Sequence, residues 1–194
     1  MAITRLGGAN AITGTIPQGN IANASLGAVT ALPAAISTGK VLQVVHGANT
    51  YSADYTSTSA TDMLSADGVT WETSITPSST SSKILTLETL FLYNSDTNDS
   101  TQEKRWFVHL YRKIGSGSYS AIRSSNWYGQ YYYNGAQRVD LDAFSFPESK
   151  LDEPNTTSQV TYKYMIGRHG GDRKATANGD SKTSVINLLE IAGW

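Results

Sequence analysis

Residues 70–94 read TWETSITPSSTSSKILTLETLFLYN, and this stretch decides the fold class. Val69, Trp71, Thr73 and Ile75 alternate with Thr70, Glu72, Ser74 and Thr76. A period of two marks a strand with one buried face and one wet face. Pro77 ends this arm, because it has no amide to give to a ladder. Residues 78–82 are all Ser and Thr, whose hydroxyls bond nearby backbone and favour a turn. A second arm, 84–93, alternates around Leu85 and Leu87, then is apolar on both faces at Leu90, Phe91, Leu92 and Tyr93. The stretch therefore predicts a hairpin with apolar surplus. A second apolar face needs cover from an arm of the chain or another subunit.

Strand-like segments continue on both sides. KVLQVVH (40–46) precedes the hairpin, with an edge strand expected over 51–57. WFVHLYRKI (106–114) sets Trp106, Val108 and Leu110 against Phe107, His109 and Tyr111. A Gly-Ser turn at 115–118 should return the chain antiparallel over 119–123. Further strands are expected over 141–146, stopped at Pro147, over 159–167, and over 182–191. In 159–167, Val160, Tyr162, Tyr164 and Ile166 share a face. In 182–191, Val185, Leu189 and Ile191 oppose Ile186, Leu188 and Glu190. Eight to ten short strands with turn signals between them predict an all-β fold, an antiparallel two-sheet sandwich of jelly-roll type. Leu90, Leu92, Ile186 and Leu188 are the candidate subunit-interface residues, because both of their strands are apolar on two sides.

Residues 1–39 differ in character. Arg5 is their single charged side chain, and isoleucines and leucines lie irregularly among Gly, Ala, Asn and Thr. Neither a heptad nor a 3.6 period holds, which excludes a coiled coil. The composition is also too rich in Ile and Leu for a charged disordered tail. The expected organisation is an extended N-terminal arm over 1–39 and a β-sandwich over 40–194.

Composition removes several function classes. Charged residues make up 16% of the 194, with a formal net charge of −1, so the basic face that a nucleic-acid binder needs is absent. With no cysteine there is neither a disulfide framework nor a thiolate metal site. No apolar run approaches the roughly 20 residues of a membrane span, and no basic segment leads into an apolar signal-peptide core. No P-loop, nucleophile elbow or dinucleotide fingerprint occurs, and no cofactor is expected.

Convergent chemistry is equally sparse. His46, His109 and His169 lie far apart and form no ligand pair. Asp96, Asn98 and Ser100 begin like a calcium loop, but Thr101 and Phe107 occupy the positions that need Gly and Glu. Asp140 and Asp142 have the spacing of a carboxylate pair but flank a strand start, where solvated carboxylates are ordinary. RHGGDR (168–173) could cradle an anion, but with no predicted helix N-terminus to support the site it reads as a solubilising loop. The expectation is a protein that is not an enzyme. The best binding candidates are Trp127, Tyr128, Tyr131, Tyr132 and Tyr133 in NWYGQYYYN (126–134), whose flat rings and polar tips suit sugars and protein interfaces alike, the competing reading being that they fill the sandwich or the subunit seam.

Three segments carry a family resemblance. ITPSSTSSKIL (75–85), ITGTIPQGNIANASLGAVTALPAAISTGKVLQVV (12–45) and TSVINLLEIAGW (183–194) resemble stretches of β-domains in virion proteins of tailed bacteriophages, marine and cyanobacterial tail fibres above all. The resemblance implies a tail-fibre or fibre-tip subunit that attaches to the host surface and sits on the exterior of a virion. The two-sided apolar strands add the expectation of a homotrimer, the arm that of a joint to other virion proteins, and the aromatic run that of a host glycan. A capsid decoration or head-fibre protein is the alternative role, and a polysaccharide-degrading tail spike a third.

Overall fold

The computed structural model describes residues 41–93, 104–130, 143–168, 174–179 and 181–193. Backbone packing divides the chain into two units, Met1–Thr38 and Gly39–Trp194, and all described residues lie in the second. The expected arm over 1–39 lies outside the described residues.

Among the described residues eleven strands follow one another: β1 (Val41–Asn49), β2 (Ala53–Tyr55), β3 (Thr61–Asp62), β4 (Glu72–Ile75), β5 (Lys83–Tyr93), β6 (Lys104–Ile114), β7 (Ser120–Gln130), β8 (Ala143–Asp152), β9 (Val160–Arg168), β10 (Ala175–Ala177) and β11 (Ser184–Ile191). Among the described residues there is no helix. Set aside the short β2, β3 and β10, and the pairing is nested. β1 pairs β11, β4 pairs β9, β5 pairs β8 and β6 pairs β7, all antiparallel. Two further pairings, β11 with β5 and β9 with β6, join these ribbons into sheets. The sheets run β1-β11-β5-β8 and β4-β9-β6-β7, with β10 and β2 extending the first and β3 beside β4 in the second. Neither closes into a barrel. This strand order is that of a jelly roll.

Alternation builds the core. Trp106, Val108 and Leu110 of β6 and Val160, Tyr162, Tyr164 and Ile166 of β9 face Ile84, Leu90 and Leu92 of β5 and Ile186 and Leu188 of β11. Trp71 packs on Tyr164 with ring centroids 5.4 Å apart, and Trp106 meets Phe146 of the other sheet edge-on at 6.5 Å. Each such aliphatic side chain contributes about 1.5–3 kcal/mol on burial. Gly47 marks a close approach of the sheets. A Cβ there would meet Thr73 Oγ1 and come within 3.0 Å of Ile186 Cγ2.

Three expectations need correction. The arms of residues 70–94 do not form a hairpin. β4 pairs β9 and β5 pairs β11 and β8, so residues 76–82 cross from one sheet to the other. The crossing is pinned at a distance: the Ser78 amide and hydroxyl both donate to Glu190 Oε1 of β11, at 2.6 Å each. Second, the strand expected to stop at Pro147 continues to Asp152. Pro147 sits opposite Thr89 on β8, whose other edge has no partner among the described residues, so its missing amide costs no ladder bond. Third, Leu90, Leu92, Ile186 and Leu188, expected at a subunit interface, are at most 1% exposed inside the sandwich. Along β5 the inward residues are Ile84, Thr86, Glu88, Leu90 and Leu92, while Leu87 faces outward at 39% exposure.

The inward carboxylates of β5 and β8 have partners in place. Glu88 accepts from Thr86 Oγ1 at 2.6 Å and lies 2.7 Å from Arg123 Nη2 of β7. Asp152 of β8 accepts from Arg112 Nη1 at 2.6 Å and from the Tyr162 hydroxyl at 2.7 Å. Burial pushes the Tyr162 hydroxyl well above its ordinary pKa, with Asp152 adding to the effect. Both ion pairs join one sheet to the other. Losing one partner would leave a buried charge uncompensated.

Candidate functional site

The best-formed surface for recognition is the outer face of the second sheet, along β6 and β7. Strand alternation turns Trp106, Val108 and Leu110 inward and leaves Phe107, His109 and Tyr111 on the outside, half-buried. Phe107 and His109 stack with centroids 4.9 Å apart, and Tyr111 follows at 6.5 Å from His109. The stripe depends on its neighbour strand. Phe107 is opposite Gly167 of β9, where a Cβ would run into the ring. Desolvation among these rings holds the His109 imidazole below its ordinary pKa.

Beyond the stripe, the loop between β6 and β7 adds Tyr119. Lys163 and Lys113 lie 4.2 and 4.7 Å from its ring centroid, and its hydroxyl donates to Glu72. Burial first, then that bond, pushes the Tyr119 hydroxyl up. Lys113 pairs with Glu72 at 3.4 Å and Lys163 with Asp62 at 2.6 Å, so these charges are balanced within the face.

At the other end, β7 carries the first part of the aromatic run. Tyr128 is opposite Trp106, and the register shifts between Trp106 and Val108, so Asn126 and Trp127 occupy a bulge beside Phe107. Bulges re-aim strand residues at sheet edges, and β7 has no second neighbour among the described residues. Gly129, which reads as a turn, lies within the strand opposite Arg105. Tyr131, Tyr132 and Tyr133 lie outside the described residues, as do Asp140 and Asp142. The sequence reading noted Phe107, His109 and Tyr111 as one face; what it missed was their adjacency to Trp127, which comes only from the β6–β7 register.

Other groups do not converge. His46 Nδ1 bonds Asn187 Oδ1 at 2.8 Å on the outside of the first sheet, whereas His109 is in the second sheet, and His169 lies outside the described residues. Arg168 is used internally, its Nε donating to the Thr56 carbonyl. The remaining loop residues 169–173 lie outside the described residues. No group of three metal-ligating side chains occurs among the described residues.

An open groove of about 620 Å³ runs past β2, β3 and residues 64–70. Its two carboxylates are occupied. Asp54 accepts from Lys174 at 2.7 Å and Thr176 at 2.5 Å, which hold its pKa below the usual carboxylate range. Asp62 accepts from Lys163 at 2.6 Å and Thr70 at 2.9 Å. The groove's one ring, Tyr55, is 5% exposed and accepts from the Leu64 amide, so it offers no stacking platform.

No family model matches the chain, and no curated protein matches it. Among solved structures it is similar to a chain of the infectious bursal disease virus Gx strain, with TM-score 0.41 and 13% identity over 77% of this chain and 31% of that one. A chain of the Gt strain gives 0.37 and 12% over 78% and 38%, and the VP2 subviral particle of that virus 0.34 and 14% over 78% and 33%. The chain thus spans about a third of the length of these chains. Such identities and scores are too low to carry a role across.

Proposed function

We propose that this chain is a virion structural protein of the tail-fibre type, a homo-oligomer that attaches to a host surface. The support for the virion role is the resemblance of residues 12–45, 75–85 and 183–194 to tailed-phage β-domains, together with a jelly-roll strand order. Strand order alone is analogy, since one fold hosts many functions. The observation that carries the attachment role is the stripe of Phe107, stacked on His109, and Tyr111 beside the aromatic end of β7. Rings in this setting bury the C–H faces of sugars, and repeated copies multiply a weak affinity. In this reading residues 1–39, with their single charge, join the β-domain to the rest of the particle.

Gold-labelled antibody against the β-domain, imaged on intact virions, tests the role. Label at the tail tip is the expected result. Label on the head shell would move the protein to the decoration role, and unlabelled particles would overturn the virion reading.

A further inference from the structure

On the first sheet the usual polarity is reversed. Glu88, Glu148, Asp152 and Glu190 sit on the inward parity of β5, β8 and β11. The outward parity is mainly apolar instead, interrupted by His46, Asn187 and Ser149 in the row of Leu87. Val44, Leu189, Leu85 and Leu151 are in register across all four strands, one row running from β1 to β8. Val44 is 60% exposed, Leu151 45% and Leu87, in the next row, 39%. Lys83, at the end of β5 on this parity, is paired with Glu153 at 2.7 Å.

We infer that this outer face is the subunit interface, covered by the same face of a second copy of the chain; the inference rests on the homo-oligomeric reading above. Three observations favour that occupant. A face without net charge does not repel its own copy, whereas an acidic or basic partner would lose solvation against it. The face is mostly aliphatic with a few neutral polar side chains, and its cation, Lys83, is already paired with Glu153 rather than offered to phosphates or lipid headgroups. Four strands about 4.8 Å apart and eight residues at about 3.3 Å each give a projected area of about 500 Å². Side-chain relief raises the accessible area towards the roughly 800 Å² per partner of a stable interface. The opposite sheet differs: beside its ring stripe, its outer face carries the paired charges of Glu72, Lys113 and Lys163.

Light scattering of the full chain at micromolar concentration, alone and with Leu87→Glu or Ser120→Glu, tests the inference. Ser120 is exposed on β7 of the opposite sheet. The expected result is an oligomer that L87E reduces to single chains and S120E leaves intact. A monomeric parent protein would overturn the oligomeric reading itself. An oligomer that survives L87E would overturn the face while leaving that reading in place. Because the chain has no cysteine, thiol protection gives a second readout that does not depend on L87E folding. Leu87→Cys should react with a maleimide at least about tenfold more slowly than Ser120→Cys. Equal reactivity in an oligomeric sample would contradict the assignment.

Discussion

Glu88 and Glu148 face each other across the β5–β8 ladder, both on the inward parity, with the Arg123 guanidinium set between them. Its Nη2 lies 2.7 Å from Glu88 and its Nη1 3.8 Å from Glu148. Directly opposed like charges destabilise a strand pair. Burial alone would lower the Arg123 pKa; Glu88 and then Glu148 hold it above its ordinary value. Arg123 is therefore the counter-charge that lets two carboxylates occupy one side of a ladder, and it ties the second sheet to the first.

Removing that counter-charge should be costly. Arg123→Met is expected to lower unfolding free energy by about 3–5 kcal/mol, because it leaves a buried carboxylate unpaired. Glu88→Gln in the same chain should recover part of the loss. Urea unfolding of both single variants and the double variant measures the coupling. Strictly additive losses would show that the pair does not interact.

Gly47 is expected to tolerate no side chain. Gly47→Ala should cost about 1–3 kcal/mol through overpacking against Thr73 and Ile186. Adding Thr73→Ala, which clears the nearest atom, should recover part of it. An unchanged denaturation midpoint in G47A would show that the sheets sit farther apart.

Acid should weaken the domain through Glu190. Burial by itself raises this carboxyl, but the Ser78 hydroxyl and amide bonds outweigh it and hold the pKa below the usual carboxylate value. A folded pKa below the unfolded one contributes stability that is present above the unfolded value. That stability is lost as pH falls through the folded value. Melting temperature should fall between pH 7 and about pH 3, and Glu190→Gln should show a smaller fall. An identical pH profile in the variant would remove Glu190 from the account.

Leu90 and Leu87, three residues apart on β5, should respond in opposite ways. Leu90→Ala opens a core cavity and is expected to cost about 2–5 kcal/mol. Leu87→Ala removes an outward side chain and should leave the unfolding of the separated chain within about 0.5 kcal/mol. Equal costs would mean that both residues are core.

The aromatic edge gives a binding prediction. Tyr111→Ala and Trp127→Ala should each weaken adsorption to host cells in a multivalent assay, with near-UV circular dichroism unchanged. A large drop in melting temperature without a specific binding loss would return the rings to a packing role.

Much of this fold was legible in the chain. The alternation of Val160, Tyr162, Tyr164 and Ile166 predicts β9 and its buried face, and the split of Trp106 from Phe107 does the same for β6. Period two reports a strand and its faces but names no partner, so 70–94 read as a hairpin although its arms lie in opposite sheets. The contact that sends the chain across, Ser78 on Glu190, spans 112 residues and leaves no local trace. The face assignment of β5 failed for a related reason. Leu90 and Leu92 read as interface residues because β5 is apolar on both sides, which does not say which side is core. Glu88 and Glu190 are turned inward by partners on other strands. The binding stripe was half visible: its rings were apparent, and their neighbours across β6 and β7 were not.

The most direct test of the virion role is the composition of gradient-purified particles. Dissolved and analysed by mass spectrometry, they should contain this chain at a fixed multi-copy ratio to the major shell protein, in every preparation. Peptides found only in the soluble lysate, and absent from particles, would contradict the account.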